Sequence, residues 1–270
     1  MNNAPIGIFD SGVGGLTVAR AILDVLPHEE IYYVGDTANT PYGDRPLAEV
    51  RTLALSIMDG LVDKGVKMLV IACNTASSAV LHDARERYTQ RRGIPVIEVV
   101  VPAVHEALLA TSNRRIGVIG TSGTITSGVY ADALEVMPGI KVFTQACPRF
   151  VHFAERGVTT GPELLACVHD YLDPLAAHDI DTLVLGCTHY PLLAGAISYV
   201  VGDGVTLVSS STATAKRAYA ALVENQLTRD PSLPAPRHRF TTTGPTTRFL
   251  DLARRIIGPD AFGDDLKGTT

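Results

Sequence analysis

Short runs of hydrophobic residues alternate along the chain with longer segments in which hydrophobic residues recur every three or four positions. The short runs, such as residues 6–9, 68–72 and 183–185, predict buried β-strands. The longer segments, such as residues 47–64, predict amphipathic helices. Because strands and helices alternate throughout, the pattern predicts an α/β fold whose sheets are mostly parallel and flanked by helices.

Two of the strand-to-turn segments occur again in the second part of the chain. The stretch Leu-Val-Ile-Ala-Cys73-Asn-Thr matches Leu-Val-Leu-Gly-Cys187-Thr-His, at an offset of 114 residues. Residues 6–12 match residues 116–122 at an offset of 110. Two matched pairs at nearly one offset predict two similar, pseudo-symmetric halves. If these halves face each other, the carboxyl ends of their strands, where parallel α/β sheets bind ligands, would present both thiols to one cleft.

The position of the two thiols suits proton transfer. A thiol between a strand and a helix lies at the helix N-terminus, whose partial positive charge lowers its pKa toward the thiolate. One thiolate can remove a proton from an acidic C–H while an opposed thiol delivers a proton to the other face. Two adjacent thiolates repel, which favours the singly protonated pair. We therefore predict that Cys73 and Cys187 catalyse stereoinversion, and that Cys147 and Cys167 are core residues.

Polar residues beside the thiols suit the binding of an amino acid. Asn74, Thr75 and Thr188 could hold a carboxylate. Asp10, at the end of the first strand, could bind an ammonium group, and His189 could orient or tune the thiols. No lysine stands at a strand end in a form that suggests a Schiff base, so no pyridoxal cofactor is implied. No Cys-x-x-Cys spacing is present, so no structural zinc site is predicted.

Three loops leave alternatives open. The glycine-rich turn at residues 10–15 could cradle an anion on its N–H groups, or it could be a tight turn where side chains do not fit. The long loop that follows the second strand is of a kind that is often functional, and Asp36 at its start could tune the thiols. The serine run at residues 209–212 predicts a helix N-cap, and Glu98 is predicted to be a capping or edge residue.

Composition excludes several partners. The 270 residues are 46% hydrophobic and 19% charged, which is ordinary for an α/β protein. The net charge of −5 offers no basic field for nucleic acid or for an anionic membrane. No apolar run reaches the length of a membrane span, and the first residues show no signal-peptide pattern. The four cysteines are therefore predicted to be free thiols in the reducing cytoplasm.

Five motifs in this order resemble those of bacterial glutamate racemase: Phe-Asp10-Ser-Gly-Val-Gly-Gly, Gly-Asp-Thr with Pro-Tyr42-Gly, Ala-Cys73-Asn-Thr-Ala-Ser, Ile-Gly-Val-Ile-Gly-Thr121 and Leu-Gly-Cys187-Thr-His-Tyr-Pro-Leu. The resemblance extends from about residue 6 to residue 257. It implies a cofactor-independent enzyme that interconverts L- and D-glutamate for peptidoglycan, with the active site between two similar α/β domains. It also implies that residues 1–98 plus 209–270 form the first domain and residues 99–208 the second.

The resemblance further implies roles for individual residues. Cys73 would remove the proton from D-glutamate, and Cys187 would remove it from L-glutamate. Asp10, Glu155 and His189 would assist proton transfer. The substrate contacts would be Asp10, Ser11, Tyr42, Gly43, Asn74, Thr75, Thr121, Thr188 and His189. A homodimer is expected, with no nucleic-acid or membrane partner.

Other functions stay open on the sequence alone. An aspartate racemase would share the two-cysteine arrangement. A non-catalytic regulator that binds a protein such as a topoisomerase would need neither thiol, and a thiol hydrolase would need only Cys187 and His189. Residues 38–40 and 98–100 depart from the usual family pattern, which could alter the entrance, subunit contacts or regulation. No role is predicted for the histidines on the predicted helices, which are His82, His105, His152 and His169.

Overall fold

The computed structural model describes residues 1–258, apart from the side chain of Arg248. Residues 259–270, the predicted end of the first domain, lie outside the described residues. Within residues 1–258 no helix is long and apolar enough to cross a membrane.

Two parallel sheets form the framework of the described residues. The first sheet has the strand order β4-β3-β1-β2-β9. Its strands are β1 (Ile6–Asp10), β2 (Ile31–Gly35), β3 (Met68–Ile71), β4 (Val96–Glu98) and β9 (Arg239–Thr242). The second sheet has the order β6-β5-β7-β8. Its strands are β5 (Arg115–Gly120), β6 (Lys141–Ala146), β7 (Thr182–Gly186) and β8 (Thr206–Ser209).

The two sheets repeat one arrangement, as the matched sequence segments predict. In the first sheet β1 lies between β3 and β2, and β4 lies outside β3. In the second sheet β5 lies between β7 and β6, and β8 lies outside β7. The extra strand of the first sheet, β9, comes from the C-terminal part of the chain and pairs with β2. The α/β fold with two similar halves is therefore confirmed, whereas the domain boundaries at 98/99 and 208/209 stay predictions.

Helices cover the sheets and connect their strands. In chain order they are α1 (Leu16–Val25), α2 (Leu47–Asp63), α3 (Asn74–Ala84), α4 (Val100–Ala110), α5 (Ser122–Thr126), α6 (Val129–Glu135), α7 (Arg149–Arg156), α8 (Pro162–Ala176), α9 (Ala194–Val201), α10 (Ser210–Glu224) and α11 (Thr246–Ile257). A π-helical turn (Arg85–Gln90) extends α3, and a 3₁₀ turn (Tyr190–Leu193) precedes α9. Helix α3 begins directly after Cys73, at Asn74.

The crossing helix α10 ties the end of the chain to the first half. Val18 and Ile22 of α1 lie in one buried cluster with Ala218 and Leu222 of α10. Fully buried apolar side chains bring the largest favourable term to folding, about 1.5–3 kcal/mol each for Val and Ile. The chain therefore leaves the first half at α4, builds the second sheet, and returns at α10.

Helix caps follow the sequence predictions in one case and depart from them in another. The Glu98 carboxylate accepts hydrogen bonds from the N–H groups of Val100 and Val101, as predicted for a capping residue. Ser209 is the N-cap residue of α10, as the serine run predicts, but its side chain makes no cap hydrogen bond. Ser211, in the first turn of α10, shares a hydrogen bond of 2.8 Å with Thr17 of α1.

A buried ion pair fastens the first sheet at the end opposite the thiols. Lys67 Nζ lies 2.5 Å from Glu29 Oε2, and the two side chains are 0% and 4% exposed. Lys67 also donates to the Asn2 carbonyl at 2.7 Å, and the other Glu29 oxygen accepts the Arg229 N–H at 2.8 Å. Burial lowers the pKa of Lys67, although the hydrogen bond to Glu29 opposes this shift. The pair and its hydrogen bonds thus join four separate chain segments.

Candidate active site

A cavity of about 70 Å³ lies between the carboxyl ends of the two sheets, and both Cys73 and Cys187 line it. Ten of the predicted site residues line this cavity, namely Ser11, Tyr42, Gly43, Cys73, Asn74, Thr75, Thr121, Cys187, Thr188 and His189. Asp10 and Glu155 are outside its lining.

Cys73 is the N-cap of α3. Its Sγ accepts the Ala76 N–H at 3.4 Å and lies 3.6 Å from the Ser11 hydroxyl. Burial, followed by the Asp10 carboxylate, raises the pKa of Cys73 to about 12. The prediction that the helix N-terminus brings this thiol toward the thiolate is therefore wrong. The Ala76 N–H does lower the pKa, but the loss of solvent outweighs it.

Cys187 follows β7 and forms a pair with His189. Its Sγ lies 3.7 Å from His189 Nδ1, and His189 Nε2 lies 3.5 Å from Glu155 Oε1. Burial lowers the pKa of His189, but the contacts with the Cys187 sulfur and with Glu155 prevail and raise it to about 10. A protonated His189 is thus a cation placed beside the sulfur of Cys187. Glu155 reaches the site through His189 and lies outside the cavity wall.

Asp10 lies behind the cavity wall, under the glycine-rich turn. It is 1% exposed, and its Oδ2 accepts the Gly12 N–H at 2.8 Å. Burial raises the pKa of Asp10, whereas the charge of His189 lowers it. In this structure Asp10 therefore acts on the site electrostatically, and its predicted contact with an ammonium group stays a prediction.

The residues predicted to hold a carboxylate make contacts between the halves. Asn74 Oδ1 accepts the Tyr130 hydroxyl at 2.6 Å, and its buried Nδ2 has no hydrogen-bond partner. The Thr75 hydroxyl lies 3.0 Å from that of Thr121 and 3.2 Å from that of Thr124. The amide nitrogen of Asn74 is thus an unused donor at the cavity.

Asp36 organises the loop that carries Tyr42. It accepts the Tyr42 hydroxyl at 2.6 Å, the Asn39 amide at 3.0 Å and the Thr243 hydroxyl at 2.6 Å. These three donors engage its carboxylate oxygens and give Asp36 a structural role in the loop, whereas tuning of the thiols by Asp36 stays a prediction. Asn39, which departs from the family pattern, therefore braces the wall of the cavity.

The glycine-rich turn permits the two halves to approach. A Cβ atom on Gly14 would lie 2.5 Å from His189 Nδ1 and 2.6 Å from the Thr188 hydroxyl. The φ angle of Gly14 is not positive, so the space and not the backbone conformation requires glycine. Beside it, the Thr17 hydroxyl lies 2.9 Å from the Thr188 carbonyl oxygen. These contacts favour the tight-turn explanation over an anion cradle.

The structure adds residues that the sequence did not single out. Thr40, Asp44, Pro148, Val151 and His152 also line the cavity. No role was predicted for His152, yet this exposed residue of α7 stands at the cavity mouth. A signal was present, since His152 precedes Glu155 by three residues and i, i+3 positions lie on one helix face.

Known proteins match this chain over nearly its whole length. A family model described as Asp/Glu/Hydantoin racemase matches residues 16–218. The glutamate racemase of Beutenbergia cavernae is 60% identical over 268 residues, which cover 96% of this chain and 91% of that protein.

Solved structures agree with the sequence match. A glutamate racemase isoform of Bacillus anthracis has a TM-score of 0.90 at 40% identity, covering 96% of this chain and 95% of the other. The glutamate racemase of Francisella tularensis, solved in complex with D-glutamate, has a TM-score of 0.87 at 34% identity, covering 95% and 94%. The chain is therefore a racemase of the Asp/Glu/hydantoin racemase family, and it resembles the glutamate racemases of that family over nearly its whole length.

Proposed function

We propose that this enzyme interconverts L- and D-glutamate by transferring the Cα proton between Cys73 and Cys187, without a cofactor, and so supplies D-glutamate for peptidoglycan. The observation that carries the proposal is the single cavity lined by both thiols, one from each half. Glutamate as the substrate is supported by the related glutamate racemases and by the D-glutamate bound to the Francisella tularensis enzyme.

The two thiols differ in their surroundings, and this difference gives the site a resting state. With a pKa of about 12, Cys73 is a neutral thiol at physiological pH, ready to donate a proton. The His189 cation next to Cys187 stands where it would stabilise a thiolate. In the resting enzyme Cys73 therefore carries the proton that the first half can donate, and the His189 cation faces the sulfur of the second half.

The reaction of L-glutamate starts from the form in which Cys187 is the thiolate and Cys73 is the thiol. The Cys187 thiolate takes the Cα proton, which leaves the electron pair on a planar carbanion. Cys73 then delivers its own proton to the opposite face, which gives D-glutamate and a Cys73 thiolate. The reverse reaction uses the same atoms in the opposite order. One turnover thus leaves Cys187 as the thiol and Cys73 as the thiolate. Exchange of these protons with water returns the pair to its starting form before the next L-glutamate reacts.

Binding groups surround this proton path. We assign the carboxylates of glutamate to the donors of Asn74, Thr75, Thr121 and Thr188, and further contacts to Ser11, Tyr42 and Gly43. Asp10 and Glu155 assist through their charges next to His189.

We also propose a cytoplasmic homodimer, with domains at residues 1–98 plus 209–270 and 99–208. The free cysteines of the described residues suit a reducing compartment. Exposed apolar side chains such as Leu109 and Tyr199 suit a contact between subunits.

Incubation with L-glutamate in D₂O tests the function directly. Without pyridoxal phosphate, the pure protein should bring the circular dichroism signal of L-glutamate to zero, and the D-glutamate formed should carry one deuterium at Cα. L-Aspartate is the control substrate and should turn over far more slowly. An unchanged signal, a requirement for pyridoxal phosphate, or faster turnover of aspartate would each contradict the proposal.

Alkylation tests the proposed resting state. At pH 8 iodoacetamide should label Cys187 much faster than Cys73, because the thiolate is the nucleophile and a pKa of about 12 leaves roughly one Cys73 in 10⁴ ionised. Both residues are 6% exposed, so access is matched. Peptide mass spectrometry over a time course gives the two rates, and D-glutamate should slow both. Faster labelling of Cys73 would exclude the assigned resting state.

A further inference from the structure

Tyr130 makes a hydrogen bond from one half of the molecule to the other at the edge of the cavity. It lies on α6, and its hydroxyl donates to Oδ1 of Asn74, which follows Cys73, at 2.6 Å. Both side chains are buried, at 2% and 3% exposure. The contact thus joins the second half to the residue next to the thiol of the first.

The same amide has an unused end. Asn74 Nδ2 is buried and has no hydrogen-bond partner, although most buried polar atoms in proteins have one. Asn74 lines the cavity, and its oxygen is taken by Tyr130. The two N–H groups of the amide are therefore what this side chain can offer to a ligand. A carboxylate oxygen, which only accepts hydrogen bonds, is their natural partner.

The orientation of the amide matters because its two ends have opposite roles. A half-turn about the last side-chain bond would present Oδ1 to the ligand, and an oxygen repels a carboxylate. Burial raises the pKa of Tyr130 well above its ordinary value, so its hydroxyl keeps the proton that holds Oδ1.

The Tyr130 ring is itself held in place beside the second thiol. A Cβ atom on Gly186, the residue before Cys187, would lie 3.0 Å from Cε2 of Tyr130. Glycine therefore lets the ring pack directly on the strand end that carries Cys187. Through this packing, Tyr130 links the backbone next to one thiol with the side chain next to the other.

We propose that Tyr130 is a positioning residue that fixes the amide of Asn74 so that its NH₂ group faces a carboxylate of the substrate. It acts through Asn74 and does not itself touch the substrate. This inference rests on the proposed function, because it takes glutamate as the ligand of the cavity.

The variant Tyr130→Phe removes one oxygen atom and keeps the ring. We expect KM for both glutamate enantiomers to rise 10- to 100-fold while kcat stays within about threefold, because the lost bond serves bound substrate and transition state alike. Calorimetric binding of D-glutamate should weaken by a similar factor. Tyr88→Phe is the matched control, since it also removes the hydroxyl of a buried tyrosine, which donates to Asp59, and it should leave KM unchanged.

A double-mutant cycle separates positioning from a general structural effect. In the Asn74→Ala background, Tyr130→Phe should raise KM less than twofold further, because the amide it orients is gone. A full additional loss in that background, or an unchanged KM in Tyr130→Phe alone, would overturn the inference.

A wild-type measurement covers the case in which Tyr130→Phe does not fold. The side-chain NH₂ resonances of Asn74 should shift on saturation with D-glutamate, and resonances that stay in place would overturn the inference. Wild-type protein that binds D-glutamate with these shifts but does not racemise it would refute the proposed function alone. If wild-type protein does not bind D-glutamate, both are refuted.

Discussion

Replacing either Cys73 or Cys187 with serine should lower racemisation in both directions by about 10²- to 10⁴-fold, the usual contribution of one general acid or base. A serine hydroxyl keeps the size of the side chain but does not ionise near neutral pH, so it cannot serve as the base. Circular dichroism of each glutamate enantiomer measures kcat and KM. Cys167→Ala, which changes a buried cysteine outside the cavity, is the control and should retain turnover within a few-fold.

In D₂O, exchange of the Cα hydrogen of glutamate for deuterium measures the activity of the one thiol that each of these variants retains. Cys73→Ser should still exchange the Cα hydrogen of L-glutamate through Cys187, with retention of configuration, and should not exchange that of D-glutamate. Cys187→Ser should show the opposite preference. Full racemisation by either variant, or exchange of both enantiomers by one of them, would refute the assignment of one thiol to each face.

Lys67→Met should lower the free energy of unfolding by about 3–5 kcal/mol, because it leaves the Glu29 carboxylate buried without its cation. The apolar chain of methionine fills the same space, so the loss reports the charge and not a cavity. Urea unfolding followed by far-ultraviolet circular dichroism gives the value.

Two further variants test whether the loss of stability comes from the unpaired, buried Glu29 carboxylate. Lys67→Met combined with Glu29→Leu should recover most of the loss, because a buried apolar pair replaces a buried ion pair at little cost. Lys216→Met, which breaks a pair with Glu106 that is 59% and 33% exposed, should cost less than about 1 kcal/mol. A single Lys67→Met variant as stable as the wild type would show that the buried pair contributes no net stability.

The two similar halves could be predicted from the sequence because they leave local, repeated signals. The matched segments around Cys73 and Cys187 mark β3 and β7, and these strands occupy the same place in their sheets. The buried runs of apolar residues and the thiols that follow them are both short-range features. The shared cavity follows directly, since parallel strands end at one edge of each sheet.

The pKa values in the site and the hydrogen bonds that hold its residues in place depend on contacts between residues far apart in the chain. A local sequence pattern does not contain such contacts. The pKa of Cys73 is raised by burial and by Asp10, a residue 63 positions away in the chain. Asp36 is engaged by Thr243, and Asn74 by Tyr130, each from a separate element. The helix N-terminus does lower the pKa of Cys73, as the general expectation states. The desolvation caused by burial raises this pKa by more.

The return of the chain to the first sheet has a consequence for biosynthesis. The strands of the second sheet lie in one continuous part of the chain, from Arg115 to Ser209. The first sheet is complete only after β9, near the end of the chain, has left the ribosome. Until Thr242 has emerged, the outer side of β2 is an open edge onto which another nascent chain could add. Every residue that lines the cavity precedes that point, so a chain truncated before Arg239 would keep the cavity-lining residues but lose both the strand that covers this edge and the Thr243 hydroxyl that holds Asp36.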